Sequence, residues 1–323
     1  MRILVILDPL SGIKTYKDTT FAMMAAADSR GHEIHVCEQR ELALEGGCAV
    51  ARQRRLHLTD RTGGALDWYR LDADAVSDLA DFDAVLMRKD PPFDMEYVYS
   101  TYLLELAQRQ GARVFNDPRA IRDHNEKFSI AEFPQYTAPM IVTRDPVRLR
   151  AFVTEHGEAV FKLLDGMGGA SIFRARADDP NLSVIIETLN CFGQRTVMAQ
   201  RFLPEIADGD KRVLLIGGQV VPYCLARIPK AGEARGNLAA GGTGVARPLS
   251  ASDLAIGEAL APELAARGLL LVGLDVIGNC ITEINVTSPT CFQEIRQQTG
   301  FDVAGLFVDA LERAVGAGSP ARA

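Results

Sequence analysis

The sequence predicts an α/β fold, and three stretches carry that prediction. Residues 2–7, 18–30 and 33–37 read as strand, helix and strand, the opening of a parallel sheet. Residues 159–164 and 170–174 read as two strands joined by a loop that holds Gly166, Gly168 and Gly169. Residues 269–277, LLLVGLDVI, read as a strand buried on both faces except at Asp275, and a Gly278-Asn279 turn sends the chain back as CITEINV. At 323 residues the chain has room for two or three domains.

Composition excludes several function classes. Hydrophobic content of 47% and charged content of 24% belong to a globular protein with a real core, and no apolar run approaches the length of a membrane span. The N-terminal MRILVILDP meets Asp8 and Pro9 too soon for a signal peptide and reads as a buried strand. Six cysteines without a C-x-x-C pair suggest neither zinc nor a disulfide framework, so a reducing cytoplasm is the expected location. The five histidines show no ligand spacing. A net charge of −7 argues against nucleic acid or anionic membrane as the main partner. Asn285-Val286-Thr287 matches a glycosylation sequon, which carries no meaning without secretion.

The remaining elements follow in order. After a hairpin around Gly46-Gly47, the polar stretch to residue 79 gives no readable organisation. Residues 84–87 form a buried strand ending at Arg88-Lys89-Asp90-Pro91-Pro92, which puts Arg88 beyond a strand's carboxyl end, where open α/β sheets bind ligands. The plain alternative is a solvated basic pair that stops the strand. A helix spans 95–110 and a strand 113–115. Asn116-Asp117-Pro118 then caps a helix expected to reach Lys127. Pro134 and Pro139 mark a domain crossing. Helices at 146–156 and 182–189 flank the glycine hairpin, and 196–202 returns as a strand. Domain boundaries near 122 and 200 give units of 1–122, 123–200 and 201–323. Two strands meet at Gly217-Gly218, and helices follow at 252–267 and 303–315, with a frayed tail from Gly316. Between them, GEARGNLAAGGTG at 232–244 has five glycines in thirteen residues and reads as a mobile lid carrying Arg235 and Asn237.

The glycine hairpin suggests phosphate. Glycines admit positive φ and let backbone N–H groups approach an anion, while Lys162 lies in a strand whose other residues favour burial. The P-loop string does not occur, and the G-x-G at Gly166 and Gly168 is followed by strand-like SIFRAR rather than a helix, so neither standard nucleotide fingerprint is made. Glycines that serve only the geometry of a turn remain the alternative. Asp275 in an apolar run requires a partner or a cation, because a bare buried carboxylate costs several kcal/mol. Glu283 and Asn285, two apart, project from one strand face, and the hairpin brings Asp275 level with them, an oxygen set suited to Mg²⁺. Arg88, Lys211, Arg212, Arg227 and Arg235 fall at strand ends and in the lid, where guanidinium forks match carboxylates and phosphates, though spacing does not establish that they converge.

These residues carry a likeness. LMRKDPPFD (86–94), NEK (125–127), LDGMGGASIF (164–173), DGDKR (208–212), PYCLARIP (222–229), ARGNLAAGG (234–242) and TEINVTSPT (282–290) resemble the bacterial glutathione synthetases of the ATP-grasp superfamily over nearly the whole chain. The resemblance implies an N-terminal Rossmann-like domain followed by the central lid and C-terminal domains of an ATP-grasp fold. It implies that Lys127 and Lys162 meet the ATP phosphates and that Asp165, Gly166, Met167, Gly168 and Gly169 cover them. Gln200, Arg201, Phe202, Leu203 and Asp210 would hold adenine and ribose, with Asn237 also on the nucleotide. Asp275, Glu283 and Asn285 become ligands of magnesium, or alternatively manganese. Arg88, Arg212, Arg227 and Arg235 would meet substrate carboxylates or the transferring phosphoryl group. Leu163 in place of proline, Thr243 in place of a basic lid residue and His124 in place of a smaller one depart from the pattern.

The implied reaction joins γ-glutamylcysteine and glycine through an acyl phosphate, in a cytoplasmic homo-oligomer, dimer or tetramer, with small-molecule partners only. Two rivals stand beside it. Another ATP-grasp peptide or amino-acid ligase would differ only in the substrate loops, and a nucleotide-binding regulator would be expected to lack an acidic ligand or a lysine that this chain keeps. A redox role for Cys224 or Cys291 is disfavoured, since neither has a resolving cysteine nearby in sequence.

Overall fold

The computed structural model describes residues 1–166, 168, 169, 171–230, 236 and 241–317. The first sheet is built from β1 (Arg2–Leu7), β2 (Glu33–Glu38), β3 (Leu42–Glu45), β4 (Cys48–Leu58), β5 (Tyr69–Leu71), β6 (Ala75–Asp78), β7 (Ala84–Met87) and β8 (Val114–Phe115), with helices α1 (Thr19–Ser29), α2 (Met95–Arg109) and α3 (Pro118–Asp123). Its path runs β3-β4-β2-β1-β7-β8, with β5 and β6 both on β4. The β2-β1-β7-β8 centre is parallel, as the opening strand-helix-strand predicts. β1 is buried on both faces: Ile3 and Val5 share a core with Phe21 and Met24 of α1, while Leu4 and Ile6 share another with Tyr97 and Leu104 of α2. The expected hairpin at Gly46-Gly47 is the antiparallel β3–β4 pair, and the unread stretch beyond it continues the antiparallel extension, in which β4 also pairs β2, β5 and β6.

The second sheet is antiparallel, in the order β11-β10-β12-β9, from β9 (Met140–Thr143), β10 (Glu158–Leu163), β11 (Phe173–Arg176) and β12 (Val197–Arg201). One face packs on α4 (Pro146–His156) and α5 (Leu182–Leu189) through Phe161, Ala199, Leu149 and Ile186. The hairpin is present, but β11 starts at Phe173 rather than residue 170, because Gly168, Gly169 and Ser171 hold positive φ and the chain is still turning.

The third sheet, also antiparallel, runs β15-β14-β13-β16-β17, from β13 (Asp210–Ile216), β14 (Gln219–Ile228), β15 (Thr243–Pro248), β16 (Leu271–Ile277) and β17 (Cys280–Asn285). Helix α6 (Ala251–Ala266) covers the face bearing Val213, Leu215, Val272 and Leu274. Two helices end the chain, α7 (Phe292–Thr299), which the sequence reading did not find, and α8 (Val303–Ala317). Phe307 and Leu311 of α8 join the α1 core, which also takes in Leu214 and Ile216, so the first and third sheets share packed surface. Asn116 fastens the same junction: its Nδ2 donates to Leu271 O at 2.7 Å and Val286 O at 2.8 Å, and its Oδ1 accepts from Leu271 N at 2.9 Å.

Helix α3 stops at Asp123 instead of reaching Lys127. Asn125 ends it, since Asn125 Oδ1 accepts from Lys127 N at 3.2 Å and Phe128 N at 2.9 Å, the local side-chain competition that favours a turn over a helix. The turn aims Lys127 at the hairpin loop.

Candidate active site

Strand alternation decides which side chains face one another. Because Ala159, Phe161, Val197 and Ala199 enter the α4/α5 core, Lys162 and Gln200 emerge on the opposite face of the second sheet. In the third sheet Val213, Leu274 and Ile284 turn toward the α6 side, so Asp210, Arg212, Asp275, Glu283 and Asn285 line the other face. A cavity of about 770 Å³ lies between these two surfaces, lined by Lys127, Lys162, Gly166, Gly168, Gly169, Gln200, Arg201, Phe202, Leu203, Asp210, Asp275 and Glu283 among others.

Its polar groups are incompletely matched. Lys162 is buried at 7% exposure and donates to Gln200 Oε1 at 3.2 Å. Burial lowers its pKa, and among the described residues no carboxylate lies within ion-pair distance of it. Gln200 Nε2 and Asp210 Oδ1 are buried with no hydrogen-bond partner. Such orphans are costly unless a ligand supplies partners. Burial pushes the Asp210 carboxyl up to about 6, although Arg227 Nη2 donates to its Oδ2 at 2.5 Å. Lys127 Nζ donates to Gly166 O and stands 3.6 Å from Glu283 Oε1, which places the basic ribbon against the acidic one. The backbone at Gly236 passes so close that a Cβ would lie 2.3 Å from Arg227 O, a position that only glycine fills.

A second cavity of about 910 Å³ adjoins the first and shares Lys127, Gly166, Gly168, Asp275 and Glu283 with it. Its remaining wall includes Asp90, Glu126, Arg212, Arg227, Asn285 and residues 287–291. Asp275 is paired, as a carboxylate in an apolar strand requires: Arg212 Nε lies 2.6 Å from its Oδ1 and Arg227 Nη2 2.9 Å from its Oδ2. Burial would raise its pKa, yet the two guanidinium groups hold it well below the usual carboxylate range. A guanidinium has five N–H donors, so both arginines retain some for a ligand. Arg212 lies across Gly273, where a Cβ would sit 2.9 Å from its Cδ, and this requirement for glycine escaped the sequence reading.

The acidic trio gathers as its spacing predicts. Glu283 pairs with Asp275 and Asn285 with Gly273 across the hairpin. Asn285 Nδ2 donates to Gly273 O at 3.0 Å, which leaves Oδ1 as an acceptor. No trio of His, Cys, Asp or Glu that could hold a metal occurs among the described residues, so the oxygen set here is two carboxylates and one amide. A hard cation that keeps water and phosphate ligands fits such a set.

The basic residues converge only in part. Arg212 and Arg227 meet at Asp275, but Lys211 lies on the other face of β13, where it pairs with Asp253 of α6 and donates to Gly278 O at 2.9 Å. Strand alternation is the reason: adjacent residues point to opposite faces. Arg88 is buried behind the cavity wall, donating from Nε to Thr20 Oγ1 at 3.2 Å and from Nη2 to Pro289 O at 2.9 Å. Asp165 turns outward to Arg195 Nη2, with contacts of 2.6 and 2.7 Å. Met167, Arg235 and Asn237 lie outside the described residues.

A cleft between a glycine-tipped sheet and an acidic sheet, opening onto a second polar chamber, is the arrangement of an ATP-grasp ligase. Solved structures share the fold: the ATP-grasp ligase PsnB, complexed with precursor peptide PsnA2 and AMPPNP, matches with TM-score 0.62 at 19% identity over 97% of this chain and 98% of that one. D-cycloserine synthetase DcsG matches with TM-score 0.65 at 16% identity, over 97% and 99%. Family models for the N-terminal domain and the ATP-grasp domain of prokaryotic glutathione synthetase match residues 1–122 and 126–300. The glutathione synthetase of Ralstonia nicotianae is 63% identical over 319 residues, covering 99% of this chain and 98% of that protein. That of Vibrio parahaemolyticus is 53% identical over 311 residues, covering 96% and 98%. The chain belongs to the prokaryotic glutathione synthetase family.

Proposed function

We propose that the chain catalyses ATP + γ-glutamylcysteine + glycine → glutathione + ADP + phosphate. The observation that carries this reading is the shared wall of the two cavities, where Lys127 stands 3.6 Å from Glu283. A triphosphate in the first chamber would bring its γ-phosphoryl group to that wall, and a carboxylate in the second would reach it from the other side. The cysteinyl carboxylate attacks phosphorus and ADP leaves, giving an acyl phosphate; glycine's amine then adds to the carbonyl, phosphate departs and the amine's protons pass to solvent.

This chain's residues bind and place the reactants. Lys162 and Lys127 meet phosphate oxygens, Gln200 and Asp210 use their unpaired atoms on adenine and ribose, and Arg201, Phe202 and Leu203 pack around the nucleotide. Gly166, Gly168 and Gly169 cover the phosphates, with Asp165 and Met167 in the same loop. Arg212 and Arg227 hold the substrate carboxylate, and Arg88 steadies the Pro289 turn beside it. Asp275, Glu283 and Asn285 would hold Mg²⁺ or Mn²⁺, which supplies charge neutralisation on the phosphate oxygens when bound. The lid role expected of Arg235 and Asn237 rests on the sequence alone. Cys224 and Cys291 take no part in redox chemistry: both are buried, and burial pushes the Cys224 thiol up to about 11.

No described helix is long and apolar enough to cross a membrane. We read the enzyme as a cytoplasmic homo-oligomer organised as domains 1–122, 123–200 and 201–323. Phosphate release from Mg²⁺-ATP, with γ-glutamylcysteine and glycine withheld in turn, tests the assignment. Sustained turnover should require both; faster turnover with another dipeptide or amine would reassign the substrates to a different carboxylate–amine ligase.

A further inference from the structure

Glu126 has no part in the roles above, yet it is one of the most tightly held carboxylates bordering the second cavity. Its Oε1 accepts from Val286 N at 3.0 Å, Thr287 N at 3.1 Å and Thr287 Oγ1 at 2.8 Å, and its backbone oxygen accepts from Ile284 N at 2.8 Å. All three side-chain bonds fall on one oxygen. Among the described residues Oε2 receives no donor, and it is not one of the sealed, partnerless buried atoms, so it opens into the cavity that Glu126 lines. The carboxylate is thus fixed in direction, with one oxygen saturated and the other presented.

Among the described residues, the nearby protein cations are engaged elsewhere. Arg212 and Arg227 are engaged with Asp275 and Asp210, Lys127 leans on Glu283 and Gly166, and among the described residues no lysine or arginine pairs with Glu126. A half-buried carboxylate with three hydrogen bonds and no countercharge suits a ligand that brings its own positive charge.

We propose that Glu126 Oε2 receives the ammonium group of the incoming amine substrate and holds it so that, once a proton has passed to solvent, the neutral amine's lone pair faces the acyl carbonyl. The adjacent residue, Lys127, stands at the wall the two cavities share, so an amine held at Glu126 lies near the carbonyl that the phosphoryl group activates. The ammonium at the far end of a γ-glutamyl group lies several bonds from that carbonyl. This inference rests on the ligase reading above.

Glu126→Gln tests it, because the amide oxygen still accepts the three hydrogen bonds while an NH₂ group replaces Oε2. KM for glycine should rise by about 10- to 100-fold, the scale of losing a hydrogen bond to a charged group, whereas KM for ATP and for γ-glutamylcysteine and the Mg²⁺ dependence should shift by less than about threefold. Hydroxylamine, uncharged at pH 8, should lose proportionately less hydroxamate formation than glycine loses ligation. Glu126→Asp, which keeps the charge, should recover part of the lost glycine affinity, and it carries the test if the glutamine variant does not fold. An unchanged glycine KM, equal losses with both nucleophiles, or a rise confined to γ-glutamylcysteine or Mg²⁺ would overturn the assignment. Wild-type enzyme that fails to release phosphate with γ-glutamylcysteine and glycine would instead remove the reaction on which it rests.

Discussion

Glu283 stands directly across the β16–β17 ladder from Asp275, and Arg212 is paired in register with Asp275 from the other side. Three neighbouring strands therefore contribute one row of charge, positive, negative, negative, along the floor of the cleft. The two carboxylates in that row have different attachments, and their substitutions should separate. Asp275 balances two buried guanidinium groups. Asp275→Asn strands Arg212 and leaves Arg227 with Asp210 alone, and should cost about 3–5 kcal/mol of unfolding free energy, measured by urea titration. Glu283, whose side chain is 19% exposed and whose ion pair among the described residues is with Lys127, should tolerate Glu283→Gln with little loss of stability but lose about 10²-fold or more in kcat.

Lys162 should signal nucleotide binding by a proton. Burial lowers its pKa in the free protein, and a polyphosphate alongside would raise it again. Binding of a nonhydrolysable ATP analogue at alkaline pH should therefore take up protons, measured by calorimetry in buffers of different ionisation enthalpy. Lys162→Met should abolish that uptake.

Gln200→Ala should act on one substrate alone. The orphaned Nε2 needs an acceptor, and the cavity it faces is the nucleotide chamber. Steady-state kinetics should give a KM for ATP raised by about 5- to 30-fold, equivalent to roughly 1–2 kcal/mol, with the glycine KM unchanged.

Asp210 should leave a mark on stability against pH. Its folded pKa, about 6, exceeds the ordinary 3.8, so the folded state binds the proton more tightly than the unfolded chain does. The stability this contributes is fully present below about pH 4 and is lost as pH rises through 6. In urea unfolding of the free protein, the advantage of wild type over Asp210→Asn should shrink between pH 4 and 6 and level off above 7.

Much of this site was legible because it breaks local rules. An aspartate in LLLVGLDVI demands a partner or a cation, and the two-residue spacing of Glu283 and Asn285 fixes their common face once the strand is recognised. What escaped depends on contacts distant in sequence or on unusual local geometry. Nothing in the spacing of Arg88, Lys211, Arg212 and Arg227 says which share a face with Asp275; the register of β13 and β14 decides it. Helix α7 was missed because its N-cap is Cys291 at φ 92°, not one of the polar residues that announce a helix. The region after the Gly46-Gly47 hairpin was unreadable because β5 and β6 are short, largely exposed strands whose partner, β4, must be known before they make sense. Glu126 matched the NEK motif but showed its three donors only once the chain was folded against Val286 and Thr287.

The most direct test of the central claim is a crystal structure with Mg²⁺ and a nonhydrolysable ATP analogue. The triphosphate should lie with Lys127 and Lys162 on one side and Asp275, Glu283 and Asn285 on the other, with the metal bridging the acidic residues and the phosphates. A nucleotide bound elsewhere, or a metal that ignores Glu283, would contradict it.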